Sequence, residues 1–192
     1  MTATEPTAGG ARAPGLISRV LGVWRRRSAP TRPPSAHDFS FASIDGGSLH
    51  LADFRGRALL VVNTASQCGF TAQYAALQHL QQTYEARGLT VIGVPSNDFG
   101  GQEPGTEAEI KAFCRAHFGV GFPMAGKTRV TGDEAHPFYR WAADELGSAA
   151  RPRWNFHKYL VAPDGSLADW FSTVAGPTSQ RVRSSVERTL PR

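Results

Sequence analysis

Apolar residues run without a break through Leu59-Leu60-Val61-Val62 and dominate Leu89-Thr90-Val91-Ile92-Gly93-Val94. Runs of this length, rich in branched side chains and bounded by turn residues, predict buried strands. Between them, Thr71–Leu80 and its continuation to about Arg87 predict a helix that Gly88 stops. A strand–helix–strand unit of this kind implies parallel neighbouring strands. Upstream, Phe39–Ala42 and Ser48–Leu51 flank a Ser43–Gly47 turn and read as a β-hairpin. Downstream, Pro95–Gly105 reads as a loop. Thr106–Phe118 reads as a helix with Thr106 as N-cap and Glu109 three residues on, the pattern of a capping box. A helix follows around His136–Leu146. Lys158–Val161 and Leu167–Phe171 flank the turn Ala162–Ser166 and predict an antiparallel hairpin. The last helix, Pro177–Leu190, carries Val182, Val186 and Leu190 on one stripe.

Strands first parallel and then antiparallel, with helices between them, describe an α/β protein of the thioredoxin-like fold. Its expected form is a central mixed β-sheet flanked by helices, with an N-terminal β-hairpin. The 192 residues suffice for one full domain and an appendage. Composition changes the picture mainly at the N-terminus. Residues 1–36 hold six Arg and one Glu, which accounts for the whole net charge of +5; the remainder carries 15 basic and 15 acidic side chains. Residues 1–36 therefore read as a disordered basic tail and linker, and residues 37–192 as the folded domain. Within the tail, Leu16, Ile17, Val20, Leu21 and Trp24 recur at helical spacing beside Arg19 and Arg25–Arg27. That pattern resembles a short basic amphipathic helix, and weak association of residues 16–27 with anionic membrane surfaces is expected. The alternative is a solvated tail. With the domain itself neutral, no nucleic-acid partner is expected. Two cysteines are too few for a disulfide scaffold and fit a reducing compartment, so a cytoplasmic location is expected. No apolar run reaches the ~18 residues of a membrane span. The tail also lacks the order of a secretory signal, since its Arg cluster follows its apolar residues.

Candidate chemistry starts with Cys68. It lies where a buried strand gives way to a helix, and the free N–H groups and positive dipole of a helix N-terminus favour thiolate, the reactive form. A free cysteine can equally be a small buried hydrophobe; the Ser66, Gln67 and Gly69 neighbours predict an exposed loop instead. Cys114 falls on the apolar face Ile110, Phe113, Cys114, His117 of its helix, and periodicity alone makes it a packing residue. Gly121–Thr128 matches G-x-x-x-x-G-K-[ST], but no strand precedes it, no helix follows it, and Pro123 sits inside it. Phosphate binding is excluded on that context. The six His residues are scattered, and no His/Cys set has the spacing of a metal site.

Three motifs carry a resemblance. Asn63-Thr64-Ala65-Ser66-Gln67-Cys68-Gly69 resembles the N-V-A-S-x-C-G motif of the glutathione peroxidase family in its cysteine form. Asn97-Asp98-Phe99-Gly100-Gly101-Gln102-Glu103-Pro104-Gly105 is similar to that family's N-Q-F-G-x-Q-E-P-G, and Arg153-Trp154-Asn155-Phe156-His157-Lys158 to its K-W-N-F-x-K. The resemblance covers roughly residues 37–190, with Thr64, Asp98 and Arg153 as departures. It implies a catalytic set of Cys68, Gln102, Trp154 and Asn155. The placement of Cys114 after Q-E-P-G is similar to the resolving cysteine of the thioredoxin-using members. The implied reaction is reduction of hydrogen peroxide and organic or lipid hydroperoxides through a Cys68 sulfenic acid and a Cys68–Cys114 disulfide. Thioredoxin is the expected reductant in preference to glutathione, and no cofactor or metal is needed. The segment between Trp141 and Trp154 is too short for the subunit-bridging loop of the tetrameric members, so a monomer with an open site is implied. A peroxide-sensing relay that passes oxidation to a partner protein would use the same Cys68 chemistry. A thiol–disulfide oxidoreductase is disfavoured, because Cys68-Gly69-Phe70-Thr71 lacks the second Cys of C-x-x-C.

Overall fold

The computed structural model describes residues 34–192. The tail through residue 33, including the amphipathic stretch 16–27, lies outside the described residues. After a short 3-10 turn at Ala36–Asp38 the elements run β1 (Ser40–Ala42), β2 (Ser48–His50), β3 (Ala58–Thr64), α1 (Gln73–Tyr84) and β4 (Leu89–Pro95). There follow α2 (Glu107–Phe118), α3 (Pro137–Leu146), β5 (Lys158–Val161), β6 (Leu167–Phe171) and α4 (Gln180–Thr189). β1 and β2 form the expected antiparallel hairpin, with Ser40 opposite His50. The main sheet has four strands in the order β4-β3-β5-β6. β3 pairs parallel with β4 and antiparallel with β5, and β5 pairs antiparallel with β6. This is a thioredoxin-like fold.

All residues of β3 and β4 are buried, which is why both read as apolar runs rather than as alternating patterns. Alternation reappears as a choice of face. Leu60 and Val62 join a core with Tyr74, Leu77 and Leu80 of α1, Ile110 and Cys114 of α2, and Val182 and Val186 of α4. Leu59 and Val61 enter a second core with Phe138, Tyr139 and Trp141 of α3 and with Phe41 of the hairpin. Helices therefore cover both faces of the sheet.

Local sequence fixes the element ends. Thr106 Oγ1 accepts the Glu109 N–H at 3.3 Å, and the Thr106 N–H donates to Glu109 Oε2 at 2.7 Å, closing the capping box of α2. At the far end of the strand–helix–strand unit, Arg57 donates from Nη2 to the carbonyls of Glu85 and Leu89 and from Nε to Thr90 Oγ1. Between those carbonyls the chain reverses at Gly88, with φ of 92°. Gly121–Thr128, the phosphate-loop look-alike, is an extended segment beside β4. Ala125 N–H donates to the Gly93 carbonyl, Gly93 N–H donates to that of Pro123, and no helix opens before Pro137. Among the described residues no helix is long and apolar enough to cross a membrane.

The Gly88 turn yields a test of this frame. A Cβ there would stand 2.5 Å from Pro191 Cγ, on a backbone that L-residues rarely adopt. Gly88→Ala should lower stability by about 1–3 kcal/mol. Urea unfolding should show this as an earlier midpoint at unchanged slope, and an unchanged midpoint would contradict the assignment.

Candidate active site

β3 ends at Thr64, and the chain passes through buried Ala65 into a tight turn that carries Cys68. Thr71 closes this turn. Its hydroxyl accepts the Cys68 N–H at 3.0 Å and lies within donating distance of the carbonyls of Ala65 and Cys68, at 2.9 and 2.7 Å. The turn corrects two expectations. First, Cys68 is buried, with only 9% of its surface accessible, although Gln67, Gly69 and Phe70 around it are exposed. The loop is at the surface and the sulfur is folded under it. Second, α1 opens at Gln73, well past Cys68. The donor to the sulfur is not the helix end but the Phe70 N–H of the turn, 3.4 Å from Sγ. A backbone N–H aimed at sulfur serves the same end, since it stabilises developing negative charge.

Gln102 arrives from the loop after β4. Gly100 and Gly101, with φ of 67° and 64°, fold this loop back towards the Cys68 turn. The Gln102 carbonyl accepts the Gln67 N–H at 3.0 Å, which ties it to the residue before Cys68. The base of the loop is held by Asp98, whose carboxylate accepts the N–H groups of Val130 and Thr131 and pairs with Arg129 Nε at 2.7 Å. Asp98, one of the departures from the family motif, is thus the clamp of the loop that presents Gln102.

Trp154 and Asn155 precede β5. Asn155 is wholly buried; its Nδ2 donates to Gln102 Oε1 at 2.9 Å, and its carbonyl accepts from Thr173 Oγ1 at 2.7 Å. Trp154 is 39% exposed and packs its ring against Phe99, with centroids 5.9 Å apart. Because β5 runs antiparallel to β3, its start lies beside the end of β3, with Lys158 opposite Val62. The loops bearing Cys68, Gln102, Trp154 and Asn155 therefore meet at one end of the sheet. Gln102 and Asn155 are in direct contact there.

The residue that the sequence reading passed over is Asn63. Wholly buried one residue before the end of β3, it donates from Nδ2 to the Trp154 carbonyl at 3.1 Å and from its backbone N–H to the His157 carbonyl at 3.2 Å. Its own carbonyl accepts the Phe156 N–H at 2.6 Å. The available signal was a carboxamide inside an apolar strand, one residue before its end, where a polar side chain must find partners. Phe156 takes φ of 62°, a left-handed turn uncommon outside glycine. The carbonyl of Phe156 accepts from Nζ of Lys158, a wholly buried lysine, at 2.7 Å.

Cys114 lies on the buried face of α2, 1% exposed, in a core that also holds Tyr74 and Cys68. Burial pushes its thiol up to about 11, against a smaller opposing effect of the Tyr74 hydroxyl. His117, expected on the same face, is exposed. Both cysteines are free thiols. Among the described residues no group of three or more His, Cys, Asp or Glu side chains is placed to hold a metal ion.

Comparison with known proteins points to one family. The family model for glutathione peroxidase matches residues 36–143. The chain is 42% identical over 162 residues to a hydroperoxy fatty acid reductase, gpx1, of Synechocystis sp., covering 80% of this chain and 95% of that protein. It is 40% identical over 159 residues to a glutathione peroxidase-like peroxiredoxin, GPX5, of Chlamydomonas reinhardtii, covering 82% and 97% respectively. Among solved structures, apo Trgpx superimposes with a TM-score of 0.65 at 30% identity, over 83% of this chain and all of the other.

Lys158 supplies a pH test of the site's scaffold. Burial pushes its ammonium down to about 7, whereas in the unfolded chain it titrates near 10.4. The folded state thus binds fewer protons between these values, and stability rises with pH across that window. Below about pH 7 the full penalty applies, on the order of 4 kcal/mol. Lys158→Met should therefore be more stable than wild type at pH 6, less the cost of leaving the Phe156 carbonyl unpaired. The gain should vanish by about pH 10. Denaturant titrations across this range read it out, and identical pH slopes for the two proteins would refute the buried charge.

Proposed function

Because this chain belongs to the glutathione peroxidase family and is a peroxidase acting on hydroperoxides, we propose that Cys68 is its attacking sulfur and thioredoxin its reductant. The observation that supports this reading is the Asn155–Gln102 hydrogen bond, on a loop whose Gln102 carbonyl accepts the Gln67 N–H of the Cys68 turn. Cys68 thiolate attacks the peroxide O–O bond, water or an alcohol leaves, and the sulfur becomes a sulfenic acid. The Trp154 indole, the carboxamides of Gln102 and Asn155, and the Phe70 N–H act as preorganised dipoles for the charge that moves from sulfur to oxygen. Cys114 then condenses with the sulfenic acid to a disulfide, which thioredoxin opens by thiol–disulfide exchange.

Substrate preference follows from what borders the sulfur. Among the described residues the exposed large apolar side chains are Phe70, Trp154 and Val174. Phe70 lies two residues from Cys68, Trp154 beside Asn155, and Val174 next to Thr173, whose hydroxyl holds the Asn155 carbonyl. An apolar rim of this kind favours organic hydroperoxides, fatty-acyl ones included. We place this activity in the cytoplasm, where a thioredoxin system keeps both thiols reduced.

Cys68→Ser should abolish peroxide reduction. Gln102→Ala and Trp154→Phe should each slow the reaction with peroxide by roughly 10²–10³, the worth of one donor at a developing charge, while the proteins remain folded by circular dichroism. Wild-type rates in Cys68→Ser would end the reading. A second prediction separates reductants. With one equivalent of peroxide, wild type should form an intramolecular Cys68–Cys114 disulfide and lose helical signal, because a disulfide needs Cα atoms within about 7 Å and Cys114 must leave its core position. Cys114→Ser should react once, over-oxidise and fail to cycle with thioredoxin and its reductase. Cycling of that variant at the wild-type rate would make Cys114 a packing residue, and fast turnover with glutathione would indicate a one-cysteine enzyme.

A further inference from the structure

Glu103 follows Gln102 directly, yet the peroxide chemistry makes no use of it. It is wholly buried, and neither carboxylate oxygen has a hydrogen-bond partner of ordinary geometry. Its backbone, by contrast, is fixed, with its N–H donating to Asn97 Oδ1 at 2.8 Å. Burying a carboxyl whose only hydrogen-bonding neighbour, Ser66, falls outside ordinary geometry costs free energy, and such a group calls for a reason.

The surroundings supply one. Glu103 lines a cavity of about 420 Å³ whose walls come from both cysteine-bearing segments: Ser66 and Gln67 of the Cys68 turn on one side, Ile110 and Phe113 of α2 on the other. Ile110 precedes Cys114 by one helical turn on the same buried face. Tyr74 of α1 stands beside the Cys114 sulfur, and the Glu103 carboxylate is near enough to oppose ionisation of both. The charged and titratable groups facing Glu103 are thus Tyr74 from α1, Cys114 from α2 and Lys127 from the segment before α3, with the Ser66 hydroxyl as its closest polar neighbour. Glu109 also lines the cavity, its carboxylate engaged by Thr106. Burial raises the Glu103 carboxyl above its ordinary range, with Ser66 and Lys127 offsetting part of the rise. Cys114, pushed up to about 11, is a thiol at neutral pH, whereas the attacking species must be a thiolate. A proton has to be taken from it.

We propose that Glu103 is the proton acceptor of the second half-reaction, drawing the proton from Cys114 as that sulfur attacks Cys68. The inference rests on the two-cysteine reading above. In this step the Cys114 S–H bond breaks and the Cys114–Cys68 S–S bond forms. The Cys68 S–O bond breaks, and its hydroxyl leaves as water with the proton that Glu103 accepted. The Cys114 sulfur is oxidised and the sulfenic sulfur reduced, so no oxidant is consumed beyond the peroxide that made the sulfenic acid. A carboxyl lifted by burial suits both transfers, being base enough to accept the proton and acid enough to return it.

The test follows disulfide closure directly. The full chain is mixed with one equivalent of hydrogen peroxide and quenched over time with a sulfenic-acid trap and a thiol alkylator. Mass spectrometry then counts sulfenic acid and disulfide. Glu103→Gln keeps the shape and loses the base. It should still form the sulfenic acid but close the disulfide at least about tenfold more slowly at pH 7, the low end for loss of a general base. The deficit should shrink as pH approaches 11, where Cys114 ionises unaided. Closure at the wild-type rate, or a deficit equal at every pH, would overturn the proposal; the second result is what a purely structural role would give. Wild type provides a measurement that does not depend on the variant folding. Its closure rate should level off well below the Cys114 pKa, and a rate that climbs about tenfold per pH unit between pH 6 and 9, as thiolate fraction alone dictates, would also overturn the proposal. Wild type that traps as sulfenic acid and never closes would show that the two-cysteine reading itself has failed, before any Glu103 variant is compared.

Discussion

The site depends on one buried carboxamide. Asn63 is the last residue but one of the central strand, and through its side chain and backbone it holds the Trp154 carbonyl, the Phe156 N–H and the His157 carbonyl. Among the described residues, β3 is the one strand of the main sheet that touches both the parallel and the antiparallel halves. A polar residue near its end can therefore bind a loop lying some ninety positions further on to the segment that continues into Cys68. An apolar residue there would fill the space but leave the Trp154 carbonyl without its donor, and an unpaired buried group costs about 1–3 kcal/mol. Fold and site share this interaction. Lys158 reinforces it from the next strand, pinning the Phe156 carbonyl so that the left-handed turn places Asn155 against Gln102.

The parts that regular patterns control were legible in the sequence. Continuous apolar runs gave β3 and β4, Thr106 with Glu109 gave the start of α2, and the Val182–Val186–Leu190 stripe gave the buried side of α4. What escaped was set by single side chains acting across loops. The thiol lies under its loop because Thr71 closes the turn and Phe70 N–H reaches back to sulfur, and no periodicity encodes either contact. The same holds for the start of α1, deferred to Gln73 by successive turn bonds from Gln73 to Phe70 and from Tyr74 to Thr71. Composition around Cys68 described the loop correctly and the sulfur incorrectly, since small polar neighbours report their own exposure. Asp98 was visible only as a departure from a motif. Its meaning required Arg129, Val130 and Thr131 to be seen beside it.

Charge is handled differently on the two sides of the chemistry. The groups that hydrogen-bond Cys68 are neutral: the Phe70 N–H reaches its sulfur and Thr71 Oγ1 accepts its N–H. The ionisable groups lie one layer back and are buried: Lys158 under the Trp154–Phe156 turn and Glu103 behind the Gln102 loop. Each is pushed towards neutrality by desolvation, the lysine down and the carboxyl up. A layer of this kind lowers overall stability, yet it places proton-exchanging groups where small movements of the loops change their surroundings.

Cys68 and Cys114 belong to one core cluster, and on the two-cysteine reading proposed above the freedom to join them is a property of α2. Only Ile110 and Cys114 of this helix are fully buried, with Phe113 and Phe118 partly so. Its start is secured by an exposed capping box, worth about 1 kcal/mol, and its end by Gly119 in a left-handed turn. Cavities of about 320 and 420 Å³ lie against it, one lined by Cys114 and the other by Ile110 and Phe113. A helix anchored by so few core side chains can open at a fraction of the global unfolding free energy. On that reading, removing Cys114 from the core would forfeit the apolar contacts of one small side chain, and the S–S bond would offset that loss. β3, β4 and β5, buried along their whole length, need not open for it. Rigidity at β3 and looseness at α2 are thus the complementary demands that the proposed two-cysteine reaction would make, holding one sulfur still and then bringing a second one to it.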